Sequence, residues 1–86
     1  MSELHSLKEA PVYFRATIDG DKNFTIRDND RNFQKGDRIF VTMIPEHAEN
    51  RPQTYQADVT TVCAFAQKEG YVVLGIRLTH VDYKEV

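Results

Sequence analysis

Apolar and polar residues take turns along this chain with two different periods. Ala10, Tyr13, Phe14, Thr17 and Ile18 recur at the spacing of one helical face. Pro11 suits the first position of a helix, and Gly20 stands where a helix ends on a left-handed residue. Together they predict a helix over 11–19, with Tyr13 turned towards the core. Before it, His5 to Lys8 reads as a short strand. After it, Phe24 and Ile26 alternate with Asn23, Thr25 and Arg27, the pattern of a half-buried strand that turns Phe24 and Ile26 inward. Residues 28–32 are rich in turn formers, Phe33 interrupts them as a core anchor, and residues 35–37 form a tight turn. Ile39 to Ile44 is an apolar strand. Residues 45–53, with proline at both ends, read as a mobile loop. Thr54 to Val62 alternates again, residues 68–70 signal a hairpin turn, and Tyr71 to Val81 is the last strand. The expected core is Phe24, Ile26, Phe33, Ile39, Val41, Val59, Val73 and Ile76.

One helix followed by four or five short strands predicts an α+β domain with a curved or closed sheet, closure being one way to remove exposed edges. At 86 residues the chain reads as a single domain, 1–86. Its longest apolar stretches, Tyr71 to Leu74 and Val62 to Ala66, fall far short of the roughly 20 residues that cross a bilayer. Residues 1–8 carry one acid, Glu3, and no apolar run, so no secretory signal is expected there. A lone cysteine, Cys63, excludes an intramolecular disulfide and fits a reducing, cytoplasmic home; among Val62, Ala64 and Phe65 it reads as a small buried hydrophobe. His5, His47, His80 and Cys63 show no zinc-ligand spacing, so neither a metal nor another cofactor is expected.

The net charge of −2 argues against a protein that coats DNA, but the charge is unevenly spread. Residues 22–38 hold five bases (Lys22, Arg27, Arg31, Lys35, Arg38) against three acids, and the remainder is acidic. A local positive patch on an acidic body suits a small anionic ligand or a short single strand better than a long duplex. On a strand, Thr25 and Arg27 share the face opposite Phe24 and Ile26, and Lys22 at the preceding turn can swing over it. That would join a hydroxyl, an amine and a guanidinium, the last a planar fork for phosphate, carboxylate or a base edge. The bland alternative pairs Arg27 with Asp28 or Asp30 and leaves Lys22 in solvent.

The blocks His5, Leu7 and Lys8; Tyr13 and Phe14; Gly20, Lys22, Phe24, Ile26, Arg27, Asn29, Asp30, Arg31, Phe33, Gly36 and Asp37; and Glu69 to Leu74 resemble the ASCH domains of the PUA-like superfamily. They resemble in particular a short bacterial and phage-type branch of unknown function. The resemblance implies a small PUA-like β-barrel of about five mostly antiparallel strands with one N-terminal helix. It also implies RNA or a modified nucleoside as partner, bound by His5, Lys8, Lys22, Thr25, Arg27, Asn29, Arg31 and Tyr71. The short branch usually carries Glu where this chain has Thr25. A sister group, amidohydrolases that deacetylate N4-acetylcytidine, is similar at Lys22, Thr25 and Arg27. That similarity implies Thr25 as nucleophile, Lys22 as its base and Glu69 as the third, acidic group. The sister enzymes reach their acid through a helical insertion missing here, which places binding ahead of hydrolysis. A protein-interaction role, with the 45–53 loop as contact, stands third.

Several of these residues carry two readings. His5 either meets a ligand or is a strand histidine bonded to backbone. Asn29 and Asp30 either line the pocket or build the loop, with Asp30 anchoring Arg31. Tyr13, Tyr55 and Tyr71 either stack on a base or pack in the core; helical register turns Tyr13 inward, and Tyr71 is the best stacking candidate.

Overall fold

The computed structural model describes residues 3–44 and 52–82. Five strands and one helix follow in the order β1 (Leu4–Glu9), α1 (Pro11–Ile18), β2 (Phe24–Asp28), β3 (Arg38–Met43), β4 (Thr54–Cys63) and β5 (Tyr71–Asp82). The strands form one sheet in the order β1-β3-β4-β5-β2. β1 and β3 run parallel; the other neighbours are antiparallel. The result is a small α+β fold whose sheet curls into a half-barrel, with β1 and β2 as its two edges.

The edges meet through side chains rather than through a ladder. Arg38 N–H bonds Glu3 O and Ile44 N–H bonds Glu9 O, so the odd-numbered residues of β1 serve β3. In a parallel ladder the even-numbered ones then face the open side. Two of those carbonyls are taken by arginines from the β2 region: Arg27 Nη1 donates to Lys8 O at 2.9 Å, and Arg31 Nη1 donates to Ser6 O. Backbone groups on a free edge are thereby satisfied and blunted.

The helix ends in a full Schellman arrangement. Gly20 N–H bonds Thr17 O, Asp21 N–H bonds Ala16 O, and Gly20 takes φ 86°. Lys22 N–H bonds Ala16 O as well, which folds the chain back and sets Lys22 beside the last helical turn. In the sheet, an extra residue lies in β4 between Val59 and Thr61, opposite Gly75. A Cβ at Gly75 would lie 3.1 Å from Thr60 Oγ1 and 3.2 Å from Thr61 Cβ, so glycine allows the close approach that the bulge needs.

The core is built on Phe14 from the helix and on Ile39, Val41, Tyr55, Ala57, Val59, Val72, Leu74 and Ile76 from the sheet, with Phe33 and Leu7 at its margin. The Phe14 and Tyr55 rings meet at 5.2 Å. Of the expected core, Phe33, Ile39, Val41, Val59 and Ile76 are buried. Phe24 and Ile26 are not: they are 41% and 55% exposed, and Thr25 between them is 2% exposed. The phase of β2 is inverted because its inward face must supply polar partners to a buried acid. Val73 is half-buried while Val72 and Leu74 face the core. Val73 and Ile76 are three residues apart, so a regular strand cannot turn both inward. Cys63 is exposed, since the bulge has already shifted the phase of β4. Tyr13 is 57% exposed, leaving Phe14 and Thr17 as the buried positions of the helix. Most of the expected loop, residues 45–51, lies outside the described residues. Among the described residues no helix is long and apolar enough to cross a membrane, and no three His, Cys, Asp or Glu side chains gather as metal ligands would.

Candidate ligand-binding cleft

β1 turns His5, Leu7 and Glu9 inward. Glu9 lies just before the helix and only 6% of it is exposed. A buried carboxylate is tolerable only when paired and hydrogen-bonded, and four side chains answer it. Lys22 Nζ lies 3.4 Å, Thr25 Oγ1 3.2 Å and Arg27 Nη2 3.3 Å from Oε2. Tyr55 OH donates to Oε1 at 3.2 Å. These partners come from the helix-to-strand turn, from β2 and from β4, so Glu9 ties together the parts of the fold that the backbone ladder leaves unjoined. Burial first, and the Glu9 carboxylate second, push the Tyr55 phenol well above its usual 10.0, so it remains a donor.

The remaining bonds settle the protons. Arg27 Nε donates to Thr25 Oγ1 at 3.1 Å, and the Thr25 hydroxyl donates to Glu9. Lys22 Nζ donates to Thr17 Oγ1 at 3.4 Å. The same ammonium stands 6.0 Å from the centre of the Tyr13 ring and 5.5 Å from that of Phe24, within cation–π reach of both. Above this network opens a cleft of about 550 Å³. Its floor is Glu9, Lys22, Thr25 and Arg27, its walls are Tyr13, Phe24 and Ile26, and Lys8 stands on its rim. That volume lies within the range of small-molecule sites, about 300–1,000 Å³. Glu9 carries one negative charge against the positive charges of Lys22 and Arg27, so the floor holds a surplus of positive charge.

The residues singled out from the sequence thus fall into two groups. Lys8, Lys22, Thr25 and Arg27 meet in the cleft. The others lie apart from its lining. His5 is buried against Asp37, whose Oδ2 accepts from its Nε2 at 2.9 Å, and its ring meets the Phe33 ring edge-on at 4.7 Å. Asn29 Oδ1 accepts from the Phe33 N–H, a loop-building bond. Arg31 holds Ser6 O, and its Nε lies 4.0 Å from Asp30 Oδ1, with both side chains exposed. Tyr71 is 37% exposed with Lys68 Nζ 5.7 Å from its ring centre. Glu69 is exposed at the β4–β5 turn; the acid at the cleft is Glu9. Glu9 gives no site signal in the sequence, and Tyr13 only a weak one, as a ring that could stack on a base. Ending β1 at Lys8 hid the first; one more step of the His5, Leu7, Glu9 alternation would have placed it inward. The helical stripe that Tyr13 shares with Phe14 points it to the core and masks its place at the cleft.

Residues 4–76 match the family model of a domain of unknown function, DUF3850. The chain belongs to that family. The match runs from the start of β1 into β5 and so contains every residue of the cleft. No curated protein matches the DUF3850 domain described here.

Proposed function

We propose that this DUF3850 domain binds RNA or a modified nucleoside in the Lys22–Thr25–Arg27 cleft, and that it is a PUA-like domain of the ASCH type. One observation carries the reading: the rings of Tyr13 and Phe24 both stand within 6.0 Å of the Lys22 ammonium, over a polar floor with surplus positive charge. Exposed aromatic faces stack on bases without regard to sequence, and cationic donors hold phosphate or base oxygens. The resemblance of the Gly20 to Asp37 block to ASCH domains supports the same class of partner. The test is binding of a labelled six-nucleotide single-stranded RNA at several salt concentrations. The slope of log K against log salt should correspond to only a few phosphates, at about −0.7 for each. Phe24→Ala should weaken binding by about 1–3 kcal/mol, the worth of one stacked base, with the melt little changed. No binding at millimolar RNA overturns the reading.

The second reading, deacetylation of N4-acetylcytidine, is favoured by one distance, 3.2 Å from Thr25 Oγ1 to Glu9 Oε2. In that reading Thr25 is the nucleophile, Glu9 rather than Glu69 takes its proton, and Lys22 steadies the negative oxygen that develops. Binding is placed first because Thr25 is 2% exposed and its hydroxyl is committed both to Glu9 and to Arg27. Release of acetate from N4-acetylcytidine, lost in Thr25→Val and kept in part by Thr25→Ser, would reverse that order.

A further inference from the structure

The hydrogen-bond inventory of the floor specifies the polarity of its ligand. Glu9 has about four lone-pair positions, and four donors already reach its two oxygens. The Thr25 hydroxyl gives its one proton to Glu9 and accepts from Arg27. Few acceptor positions are left, one on Glu9 Oε1 and one on Thr25 Oγ1, and these residues are only 6% and 2% exposed. Donors are left in surplus. Lys22 has three N–H groups and bonds Glu9 and Thr17. Arg27 has five and bonds Thr25, Lys8 O and Glu9. One ammonium N–H and two guanidinium N–H are left over, on two groups that share a single carboxylate oxygen and so lie side by side. What remains to be bonded from the cleft is a cluster of donors between aromatic walls.

We infer that the ligand of this cleft is a planar ring whose inward edge carries two neighbouring hydrogen-bond acceptors, as guanine does at N7 and O6 and cytosine at N3 and O2. The inference rests on the nucleoside reading of the cleft and narrows it. Uracil sets an N–H between its two carbonyl oxygens, and adenine sets an amino group beside each ring acceptor on those edges. Either would turn a donor towards Lys22 or Arg27, whose buried donors would then stay unpaired, a mismatch that costs more than a lost contact. Paired donors facing paired acceptors are also the geometry by which arginine and lysine select guanine in nucleic-acid complexes.

The test is an NMR titration of the full ¹⁵N-labelled chain with the 5′-monophosphates of guanosine, cytidine, uridine and adenosine, and with inorganic phosphate alone. The phosphate is common to the four nucleotides, so differences between them report the ring. Guanosine and cytidine monophosphates should bind about tenfold more tightly than the other two, with shifts at Glu9, Lys22 and Thr25 to Arg27. In Arg27→Lys, which keeps the charge and loses the fork, that preference should shrink to less than about threefold. Lys22→Met should shrink it likewise, which keeps the test alive should one variant fold poorly. Four nucleotides of equal affinity would overturn the acceptor-edge inference while leaving a nucleotide cleft in place. Inorganic phosphate moving the same amides with the same affinity would overturn the need for a ring. No shift at the cleft with any nucleotide would overturn both this inference and the nucleoside reading.

Discussion

One strand carries two buried polar clusters, and they differ in what they leave unspent. At the start of β1, His5 meets Asp37; at its end, Glu9 meets Lys22, Thr25, Arg27 and Tyr55. Both acids are nearly sealed from water. The Asp37 carboxylate takes its bonds from His5 and from the backbone N–H groups of Glu3 and Gln34. Two of these three donors are backbone, and the cluster fastens the turn at Gly36 and the start of β1. The Glu9 cluster draws on long side chains with more donors than the acid can use, and it lies under an open cleft with aromatic walls. A buried acid alone therefore says nothing about function. The surplus around it does: at Asp37 the donors are consumed by structure, whereas at Glu9 they exceed it.

The largest expected effect compares the two acids. Glu9→Ala strands the Lys22 and Arg27 charges and the Tyr55 hydroxyl, and should cost about 3–5 kcal/mol, as broken buried pairs do. Against a total of about 4–13 kcal/mol for a chain of this size, that approaches unfolding. Asp37→Ala should cost about 2–3 kcal/mol, the loss of a few hydrogen bonds to a charged group. Chemical denaturation at pH 7 measures both, and an Asp37 effect as large as that of Glu9 would break the contrast.

Acidification separates the clusters next. Burial of Asp37 favours its neutral form, but the bonds from His5, Gln34 and Glu3 outweigh it and hold the carboxyl below its ordinary 3.8. With the folded value below the unfolded one, the unfolded chain binds the extra proton. The contribution is whole above about pH 4 and is lost as pH falls through the lowered folded value. Asp37→Asn should therefore flatten the acid limb of stability against pH. Tyr55 has the opposite sign. Its phenol is raised, so its contribution is whole below the ordinary 10.0 and is lost as pH rises towards the folded value. Tyr55→Phe should remove that alkaline loss, at a cost near neutral pH of about 1 kcal/mol for the bond to Glu9. Unchanged limbs in the two variants would contradict these assignments.

The smallest effects lie on β2 and β5. Phe24→Ala should cost about 1 kcal/mol or less, because an exposed ring has little burial to lose, whereas Phe14→Ala should cost about 3–5 kcal/mol. Val72→Ala should exceed Val73→Ala. A melt of Phe24→Ala as low as that of Phe14→Ala would show that β2 faces the other way.

Much of the fold was legible in the chain. The helix, its glycine stop and the strands were marked by periodicity and turn chemistry, because Pro11, Gly20 and the alternation from Tyr55 to Val59 are local signals. What failed was facing. Phe24 and Ile26 are apolar and Thr25 is polar, so local pattern turns the wrong side of β2 inward; only the tertiary demand of Glu9 for partners reverses it. Glu9 itself could not be weighed, since its partners at positions 22, 25, 27 and 55 are brought to it by topology. Val73 and Cys63 were misplaced because β5 is apolar on both faces and the β4 bulge cannot be seen in the sequence. Lys22, Thr25 and Arg27 were readable as a group because one turn and one strand face hold them together.

The contrast between the two ends of β1 is tested most directly by mapping where a nucleotide acts on the ¹⁵N-labelled domain. Guanosine or cytidine 5′-monophosphate should shift the amides of Lys8 to Ala10, Tyr13 and Lys22 to Arg27 in one saturable process, and leave those of Glu3, His5, Gln34 and Asp37 unmoved. Shifts centred on the His5–Asp37 end, or none at the cleft up to millimolar nucleotide, would contradict the account.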